Sequence, residues 1–336
     1  MDGEQTLGTY LHGWMARQQT QVQPGTWDSY RGMVRRYLLP TLGDVALQSL
    51  DKREIERVLA QLFTGGGEQG RPLSKRSVVY THTILHKALA DAVRDGLLPA
   101  NPSHGVLLPK IDHPTGGDAG ARIATWDAEQ LRTFLAATAE HRFATLFWLA
   151  AFTGLRRGEL CGLRWCDLDL DGRILLLRRT LSITRRHVLL KEPKNSRVRS
   201  LALDARTCRV VERERRAQQE RAAELGPLWH NGWDLVLTAD SGRPLVPQTV
   251  SGAFRQVVAD LPLPRIRFHD LRHTHATLML EAGAPVKVVS ERLGHTSYRL
   301  TMEVYAHVLP AMDGDAAIRF GEYVFGSGGQ PAGDAA

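Results

Sequence analysis

Residues 143–160 read FATLFWLAAFTGLRRGEL, and this stretch decides how the second half of the chain is organised. Its first part, FATLFWLAAFTGL, is too short to span a bilayer and therefore predicts a helix buried in a protein core. Gly154 lets that helix end and a second one begin. Arg156 then lies at the start of the second helix, where unpaired backbone N–H groups favour anions. Glu159, three residues further on, shares its helix face and is placed to orient the guanidinium.

Two further segments carry side chains that suit an anion. In FHDLRHTHATLML, residues 268–280, His269 and Arg272 are three residues apart and share one face of a helix whose apolar positions predict burial. In SERLGHTS, Gly294 has the position of a residue that ends a helix in the left-handed conformation, which places His295 just beyond the helix. A single histidine near an apolar face is more often part of a core, so neither segment is decisive alone.

Lys194 and Tyr305 carry no distinctive signature of their own. Lys194 lies in EPKNSRVRSLAL, in a predicted turn between two strands, where a lysine is usually only solvated. Lys191, three residues earlier on the same predicted hairpin, is an alternative to it. Tyr305 lies in LTMEVYAHV, a predicted amphipathic helix, and a tyrosine in such a helix is far more often packed in the core than catalytic.

Together these side chains fit one reaction at a phosphodiester. Two arginines can hold the non-bridging oxygens and stabilise the charge that grows in the transition state. A histidine can accept the proton of a tyrosine, and a lysine can donate a proton to the leaving 5′-hydroxyl. The tyrosine can then form a covalent intermediate, which splits one hard step into two. Because the guanidiniums supply the positive charge, this chemistry predicts no metal and no cofactor.

The first 111 residues predict a helical bundle. One apolar helix face is formed by Leu7, Tyr10, Leu11, Trp14 and Met15, and a second by Trp27, Tyr30, Val34, Tyr37 and Leu38. Pro40 and Gly43 are expected to break the second helix. Asp51 is a candidate cap for a third helix, and Ser74 for a long fourth helix that runs to about Arg94.

Basic residues are predicted on several exposed faces of this bundle. The candidates for contact with DNA phosphates are Arg31, Arg35, Arg36, Lys75, Arg76 and Lys87. The whole chain has 43 Lys and Arg against 36 Asp and Glu, a net charge of +7. Such a charge suits an acidic partner, of which DNA is the commonest. The alternative is that these charges only keep the surface hydrated.

The segment DHPTGGDAG, which is rich in Gly, Pro and Asp, predicts a linker between two domains. The predicted division is a helical core-type DNA-binding domain over 1–111, a linker over 112–123, a catalytic domain with a C-terminal tail over 124–325, and a disordered tail over 326–336. The predicted fold class is therefore mainly α with a small antiparallel β-sheet, that is, a helical domain followed by an α+β domain.

The second domain is expected to begin with a helix that Thr125 caps, with Glu129 placed to help. Residues 173–203 are rich in Leu, Val and Ile and predict the strands of the sheet. Helices resume at Asp204 and dominate the remainder of the chain.

Three cysteines, an odd number in a long chain, predict no disulfide framework. Cys161, Cys166 and Cys208 are expected to be small buried hydrophobic residues, which fits a reducing compartment. The N-terminal sequence MDGEQTLGTYLHGWM lacks a basic segment followed by an apolar run, so it does not predict a signal peptide. We therefore expect a cytoplasmic protein with no membrane partner.

In their order and spacing, these motifs resemble those of the tyrosine recombinases of the phage integrase family. TGLRRGEL, PKNSRVRSLAL, HDLRHTHAT, LGH and VYAHV carry the resemblance, and YLLPTLGD at 37–44 extends it into the N-terminal half. The resemblance implies a fold with an N-terminal helical core-binding domain and an α+β catalytic domain of the tyrosine recombinase type.

The resemblance also implies a role for each residue at the site. Tyr305 would attack the DNA strand, leaving a 3′-phosphotyrosine and a free 5′-hydroxyl. Arg156 and Arg272 would hold the phosphate, while Lys194 would be the general acid. His269 and His295 would be, respectively, the candidate base and a hydrogen-bond partner of a phosphate oxygen.

By the same resemblance, the chain would be a bacterial or phage-encoded site-specific recombinase acting on chromosomal DNA, integrating or excising a mobile element without ATP. Its partners would be double-stranded DNA attachment sites and three further copies of itself in a tetramer, with each duplex wrapped by a C-shaped pair of domains. A directionality or DNA-bending accessory protein is a further expected partner. The apolar tail DAAIRFGEYVF is predicted to pack on a neighbouring subunit rather than on its own domain.

Parts of the sequence also fit other interpretations. Lambda-type integrases carry an additional N-terminal domain for arm-type sites, and this sequence begins near the core-binding helices, which predicts a simpler recombinase or a shortened chain.

A DNA-binding accessory protein without catalysis is disfavoured because every expected catalytic residue type is present. A type IB topoisomerase would use similar chemistry, but the compact N-terminal helical domain favours recombination. A metal-dependent nuclease or transposase would require a spaced acidic triad, which the sequence does not display.

Overall fold

The computed structural model describes residues 5–109, 124–183, 188–192, 198–294 and 323. The chain divides into two compact units between residues 121 and 122, and each unit has a hydrophobic core of its own. Both units are mainly helical, and the second also contains small antiparallel sheets. The predicted fold class is confirmed.

The first unit is a helical bundle. Its helices are α1 (Leu7–Gln21), α2 (Pro24–Met33), α3 (Leu39–Leu42), α4 (Lys52–Thr64) and α5 (Lys75–Arg94). The predicted apolar face of α1 is buried along its whole length. Its two aromatic residues also tie α1 to α5, because the Tyr10 hydroxyl donates to the Ala88 carbonyl at 2.8 Å and the Trp14 indole donates to Asp91 Oδ2 at 2.8 Å.

A π-helical turn over Val34–Leu38 joins α2 to α3. In this widened turn the N–H of Leu39 donates to the carbonyl of Val34. The widening accommodates Pro40, which has no N–H to donate and whose ring would otherwise clash with the carbonyl one turn earlier. The helical path therefore continues through Pro40 to Leu42, and the prediction that Pro40 breaks the helix is wrong.

The two predicted caps of the first unit are confirmed. The Asp51 carboxylate accepts from the N–H of Glu54 at 2.8 Å, which starts α4. The Ser74 hydroxyl accepts from the N–H of Ser77 at 3.2 Å, which starts α5. Each cap satisfies one of the backbone donors that the first turn of a helix leaves unpaired.

The second unit contains the remaining elements in the order α6 (Ala128–Ala137), α7 (Ala144–Thr153), α8 (Arg157–Cys161), β1 (Leu168–Asp169), β2 (Ile174–Leu177), β3 (Thr180–Ile183), β4 (Val188–Lys191), β5 (Arg199–Ala202), α9 (Ala205–Leu225), α10 (Pro247–Ala259), α11 (Asp270–Glu281) and α12 (Val286–Leu293). The apolar helix predicted from the opening stretch is α7, and most of its residues are buried. None of the helices in the described part of the chain combines the length and the apolarity that a bilayer crossing requires.

Helix α6 is capped by Asp127, and the prediction that Thr125 caps it is wrong. The Asp127 carboxylate accepts from the N–H groups of Glu129 and Gln130 at 2.9 and 2.8 Å. The Gln130 side chain in turn accepts from the N–H of Asp127 at 3.1 Å. This reciprocal capping box satisfies donors at both ends of the turn, so the cap lies two residues after Thr125 and the helix starts at Ala128.

The strands form two antiparallel sheets rather than the single sheet that was expected. One has the order β1-β2-β5, with Leu175 of β2 opposite Leu201 of β5, and the other consists of β3 and β4. Because β4 pairs with β3 and β5 pairs with β2, the segment between β4 and β5 connects two sheets. The prediction that the strands on either side of Lys194 pair with each other as one hairpin is therefore wrong, and Lys194 itself lies outside the described residues.

The core of the second unit is built around an aromatic cluster. The Phe134 ring lies 5.0 Å from Trp126, 5.4 Å from Phe147 and 5.3 Å from Phe254, measured between ring centroids. These contacts hold α6, α7 and α10 together. Two of the three cysteines, Cys161 and Cys208, are buried as predicted, but Cys166 is exposed on a short 3-10 turn, so the expectation of burial is wrong there.

Candidate active site

Arg156 is fixed at the start of α8 by a carboxylate and a carbonyl. Its N–H donates to Glu159 Oε2 at 2.8 Å and its Nη1 donates to Glu159 Oε1 at 2.9 Å, so the predicted pairing of these two residues is present. Its Nη2 donates to the carbonyl of Gly294 at 3.3 Å. The Arg156 side chain still keeps 43% of its surface exposed, which leaves it accessible to a ligand.

Glu159 is a buried carboxylate shared by two arginines. Arg199 donates to it from Nη2 to Oε2 at 2.8 Å and from Nη1 to Oε1 at 3.3 Å. Burial alone would raise the pKa of Glu159, but the charge of Arg199 and the hydrogen bond from the Arg156 N–H hold that pKa below its usual value. Glu159 is therefore ionised at neutral pH and able to hold both guanidiniums.

Arg272 is buried on α11 and is held by the ends of two other helices. Its Nη1 donates to the carbonyl of Gly154 at 2.6 Å, just after α7, and its Nη2 donates to the carbonyl of Leu293 at 2.5 Å, in the last turn of α12. Carbonyls at helix C-termini carry partial negative charge, which suits a guanidinium. The side chain is thus oriented by backbone atoms that are far from it in sequence.

His269 lies immediately before α11 and its side chain is exposed. Its ring meets that of His273 edge-on, with the centroids 5.5 Å apart. Desolvation by the surrounding side chains and the charges of Arg272 and Arg156 lower the pKa of His269. The imidazole is therefore held in its neutral form, which can accept a proton.

The end of α12 brings the two arginines together. Leu293 and Gly294 are consecutive, and their carbonyls accept from Arg272 and Arg156 respectively. Gly294 has the predicted left-handed conformation, with φ +67°, and it ends the helix directly before His295 in sequence. Two guanidiniums that are more than a hundred residues apart in the chain are thus placed by adjacent peptide groups.

Gly154 is required where α7 meets α11 and α12. Its φ of +62° is left-handed, and a Cβ there would lie 2.6 Å from His275 Cδ2 and 2.8 Å from Leu293 Cδ2. Because its carbonyl accepts from Arg272, the close packing of this glycine contributes directly to the geometry of the site.

Three of the predicted catalytic residues, Lys194, His295 and Tyr305, lie outside the described residues, as do the predicted linker and all of the C-terminal tail except Tyr323. Their roles stay predictions. Of the predicted set, the structure brings together Arg156, Glu159, Arg272 and His269.

The sequence interpretation missed three basic residues that hold this region, namely Arg199, His275 and Arg292. Arg292 donates from Nη2 to the Phe152 carbonyl and from Nη1 to the Ala202 carbonyl, both at 3.0 Å, and from Nε to His275 Nε2 at 3.1 Å. The His275 ring is neutral, since burial and then the charge of Arg292 lower its pKa to about 3. The period of buried residues on α12 could have placed Arg292 beside a core face, but local sequence does not reveal its distant partners.

The basic residues predicted to contact DNA from the first unit differ in exposure. Arg35, Arg36, Lys75 and Arg76 are exposed. Arg31 is partly covered, lying 3.2 Å from a carboxylate oxygen of Asp28 and over the Trp27 ring. Lys87 is also partly covered, with its ammonium 3.4 Å from Asp91.

Comparison with protein families identifies both units. The model described as "Phage integrase family" matches residues 122–312, and that described as "Phage integrase, N-terminal SAM-like domain" matches residues 6–63. A "Tyrosine recombinase XerC-like" protein of Caldanaerobacter subterraneus subsp. tengcongensis is 27% identical over 322 residues, covering 91% of this chain and 80% of its own length. The integrase of Mycobacterium phage L5 is 28% identical over 301 residues, covering 89% of this chain and 74% of its own length.

Solved structures show the same fold. The Tn1549 transposon integrase in complex with transposon right end DNA aligns with a TM-score of 0.72 at 21% identity, covering 94% of this chain and 99% of that one. A lambda integrase dimer bound to a core site aligns with a TM-score of 0.66 at 18% identity, covering 88% and 97% of the two chains. The family-model matches, which span more than half of the sequence, lead to one conclusion: this chain belongs to the phage integrase family, the tyrosine-type site-specific DNA recombinases.

Proposed function

We propose that this recombinase cuts and rejoins DNA through a 3′-phosphotyrosine intermediate formed by Tyr305, with Arg156 and Arg272 holding the scissile phosphate. The observation that carries this proposal is the pair of guanidiniums bound to the adjacent carbonyls of Leu293 and Gly294, immediately before His295 in the sequence. Two fixed positive charges match a phosphodiester that gains negative charge in the transition state.

The guanidiniums are oriented before any substrate binds. Glu159 holds Arg156, and the carbonyls of Gly154 and Leu293 hold Arg272. Because the protein rather than the substrate fixes both groups, little reorganisation is needed as the reaction proceeds. His295, which directly follows this segment, would donate a hydrogen bond to a phosphate oxygen.

The proton transfers follow from the remaining groups. Tyr305 Oη attacks phosphorus and gives its proton to His269, whose lowered pKa keeps the imidazole neutral and able to accept. The bond from phosphorus to the 5′ oxygen breaks, and Lys194 gives a proton to that oxygen. The phosphotyrosine preserves the bond energy, so attack by a 5′-hydroxyl rejoins the strands without ATP or a metal ion.

The partners proposed for this chain are double-stranded attachment sites of a mobile element and a homotetramer assembled on them. In support, a similar fold occurs in the lambda integrase tetramer bound to a Holliday junction, with a TM-score of 0.65 at 19% identity and coverage of 90% and 78%. The ICEBs1 integrase of Bacillus subtilis, 25% identical over 90% of this chain and 79% of its own length, is a further relative that is named an integrase. A directionality or DNA-bending protein and cytoplasmic action on chromosomal DNA complete the proposal.

The first experiment finds the DNA site and tests covalent chemistry together. A library of randomised duplexes, each nicked so that the released 5′-hydroxyl fragment diffuses away, is incubated with the protein and denatured with detergent. We expect a recurring sequence to be recovered covalently bound to the wild-type protein and nothing to be recovered with Tyr305→Phe. Equal recovery from both proteins would refute Tyr305 as the nucleophile, and no recovery from either would favour a DNA-binding protein without catalysis.

A second experiment separates recombination from strand relaxation. Two labelled duplexes that carry the recovered sequence are mixed with the protein, and products that join the two labels are counted. We expect joined products only when both duplexes carry the sequence. Relaxation of a supercoiled circle without any joined product would instead indicate a topoisomerase-like activity.

A further inference from the structure

Glu159, the carboxylate that orients Arg156, is also bound by Arg199. Neither the sequence motifs nor the proposed reaction gives Arg199 a role. Arg199 is the first residue of β5, and both of its terminal nitrogens donate to Glu159. Its side chain is only 14% exposed, unlike the more exposed side chain of Arg156. Arg199 is therefore part of the interior of the site and not of its solvated rim.

We propose that Arg199 is a positioning residue for the phosphate-binding arginines, acting on Arg156 through Glu159 and on the end of α12 through contact with Gly294. This inference rests on the proposed function, in which Arg156 and Arg272 hold the scissile phosphate.

Both oxygens of Glu159 are occupied by hydrogen bonds from the two arginines. Arg156 uses one side-chain nitrogen and its own N–H on this carboxylate, and Arg199 occupies both oxygens from the other side. If Arg199 were absent, the Arg156 guanidinium could turn inwards and bind the buried carboxylate with two nitrogens, the geometry that guanidinium–carboxylate pairs favour. By saturating Glu159, Arg199 limits Arg156 to one side-chain contact and leaves its other N–H groups directed towards a ligand.

Arg199 also contacts the end of α12. A Cβ built on Gly294 would collide with Nη1 of Arg199 and lie 3.0 Å from its Cζ, so the Arg199 guanidinium packs directly against this glycine. The carbonyl of Gly294 accepts from Arg156, and the preceding carbonyl of Leu293 accepts from Arg272. Arg199 thus supports the peptide groups that set the spacing between the two clamping arginines.

Arg199 is anchored in a paired strand. Its backbone is held by the pairing of β5 with β2, in which Arg199 lies opposite Leu177. The segment that carries Lys194 leads directly into this strand in the sequence. Arg199 therefore lies on the strand that follows Lys194, the proposed general acid, in the sequence. Its side chain reaches Glu159 in the proposed phosphate site.

The alternative is that the Arg199–Glu159 pair only stabilises the fold. The chain offers a matched control in Arg221 of α9, whose Nη2 donates to Glu214 at 2.7 Å and whose side chain is 34% exposed. Like Arg199, it has a buried Nε without a hydrogen-bond partner among the described residues. Arg221 makes a comparable ion pair in the same unit without contacting Glu159 or the end of α12.

The test uses the full chain and the nicked duplex recovered from the library, in single-turnover formation of the covalent complex at saturating DNA. The rate constant and the amplitude are read separately, because a destabilised protein lowers the fraction that reacts, whereas a misplaced phosphate clamp lowers the rate constant. We expect Arg199→Ala to lower the rate constant roughly 10- to 100-fold, the effect of a displacement near 1 Å in a catalytic group. Arg221→Ala should leave the rate constant within about twofold of wild type, since its ion pair is remote from the clamp.

The conservative variant Arg199→Lys adds an independent readout. We expect its rate constant to lie between those of Arg199→Ala and wild type, because lysine restores the charge beside Glu159 but cannot hold both oxygens in a planar fork. If Arg199→Ala does not fold, as judged by circular dichroism, Arg199→Lys decides the question by its rate constant at full amplitude.

Several results would overturn the inference. They are a wild-type rate constant in Arg199→Ala with only a reduced amplitude, a wild-type rate constant in Arg199→Lys, or an equal slowing in Arg221→Ala. A failure of the proposed function would look different, since wild type would then form no covalent complex or Tyr305→Phe would still form one.

Discussion

Glu159 carries a negative charge in a part of the second unit that is otherwise dominated by arginines. It is buried, and Arg156 and Arg199 both donate to it. An unpaired buried carboxylate would be very unfavourable, so the two ion pairs and the carboxylate depend on one another. The same residue therefore affects both the stability of the second unit and the orientation of the proposed phosphate site.

Glu159→Gln should remove a stabilisation that depends on pH. The folded-state pKa of Glu159 lies below its usual value of 4.5, so the stabilisation is fully present above pH 4.5 and is lost as pH falls through the folded pKa. At pH 7 the variant should be less stable by about 3–5 kcal/mol, because it leaves the largely buried Arg199 guanidinium without a charged partner. Urea unfolding at a series of pH values checks this, and an equal difference between variant and wild type at pH 3 and pH 7 would contradict it.

His269 should determine the acid side of the pH profile for DNA cleavage. Because its pKa is lowered from the usual 6.5, the neutral imidazole that accepts the tyrosyl proton persists below pH 6.5, and cleavage should decline only at lower pH. His269→Gln should be roughly 100-fold slower or more, and should lack that acid limb. Single-turnover rates measured against pH on the nicked duplex test this prediction. An acid limb above pH 6.5, or one that survives in His269→Gln, would exclude His269 as the base.

At the scale of elements, the local sequence predicted most helices and their caps. Asp51 and Ser74 cap their helices because a side-chain oxygen at that position meets an unpaired N–H, and this requires no information from distant residues. The prediction that Pro40 breaks its helix was wrong, because the π-helical turn that accommodates Pro40 has no clear local signature in the sequence. The prediction that Thr125 caps α6 was wrong because Thr125 and Asp127 are both suitable capping residues. Only the reciprocal hydrogen bonds between Asp127 and Gln130 distinguish them.

The pairing of the strands and the supporting residues of the site could not be predicted in this way. β2 pairs with β5 across an inserted β3–β4 hairpin, and the strand sequences allow a simple meander equally well. Arg199 follows from that pairing, because only the register of β5 brings its guanidinium to Glu159. Arg156 and Arg272 were accessible from their motifs, whereas Arg199 and Arg292 are defined by contacts that are distant in sequence.

Gly154→Ala should disturb three elements at once. A residue with a side chain at φ +62° is itself unfavourable by about 1–2 kcal/mol. The new Cβ would also press on His275 of α11 and Leu293 of α12, which adds about 1–3 kcal/mol for overpacking. We therefore expect lower stability together with slower cleavage, because the carbonyls of Gly154 and Leu293 hold Arg272.

Gly96→Ala is the matched control for that substitution. Gly96 has a similar left-handed φ of +75°, but nothing lies within 4 Å of its Cβ position. It should show only the backbone penalty of about 1–2 kcal/mol and an unchanged cleavage rate constant. Urea unfolding and single-turnover cleavage measure both effects, and equal losses in the two variants would show that packing around Gly154 is unimportant.

At the scale of the whole molecule, charge determines how the chain meets DNA. The sequence has a net charge of +7, and basic residues lie on the exposed surface of the first unit as well as around the proposed phosphate site in the second. Binding of a basic protein to duplex DNA releases counterions, so affinity falls steeply as salt rises. Only basic residues that neutralise a phosphate release counterions. The slope of log affinity against log salt, called the salt slope below, therefore reports how many phosphates the protein neutralises.

Arg35 and Arg76 should therefore be separable from Arg31 and Lys87 by their salt slopes. For Arg35→Ala and Arg76→Ala, whose side chains are exposed, the plot of log affinity against log salt should become shallower by about 1 for each phosphate that the variant no longer neutralises. Arg31→Ala and Lys87→Ala should change the slope less, because these groups already pair with Asp28 and Asp91 and must leave that partner before binding a phosphate. Fluorescence anisotropy with the recovered duplex at several salt concentrations measures each slope. If Arg31→Ala and Lys87→Ala flatten the plot as much as Arg35→Ala does, the ion pairs open on binding and exposure in the free protein does not identify its DNA-binding surface.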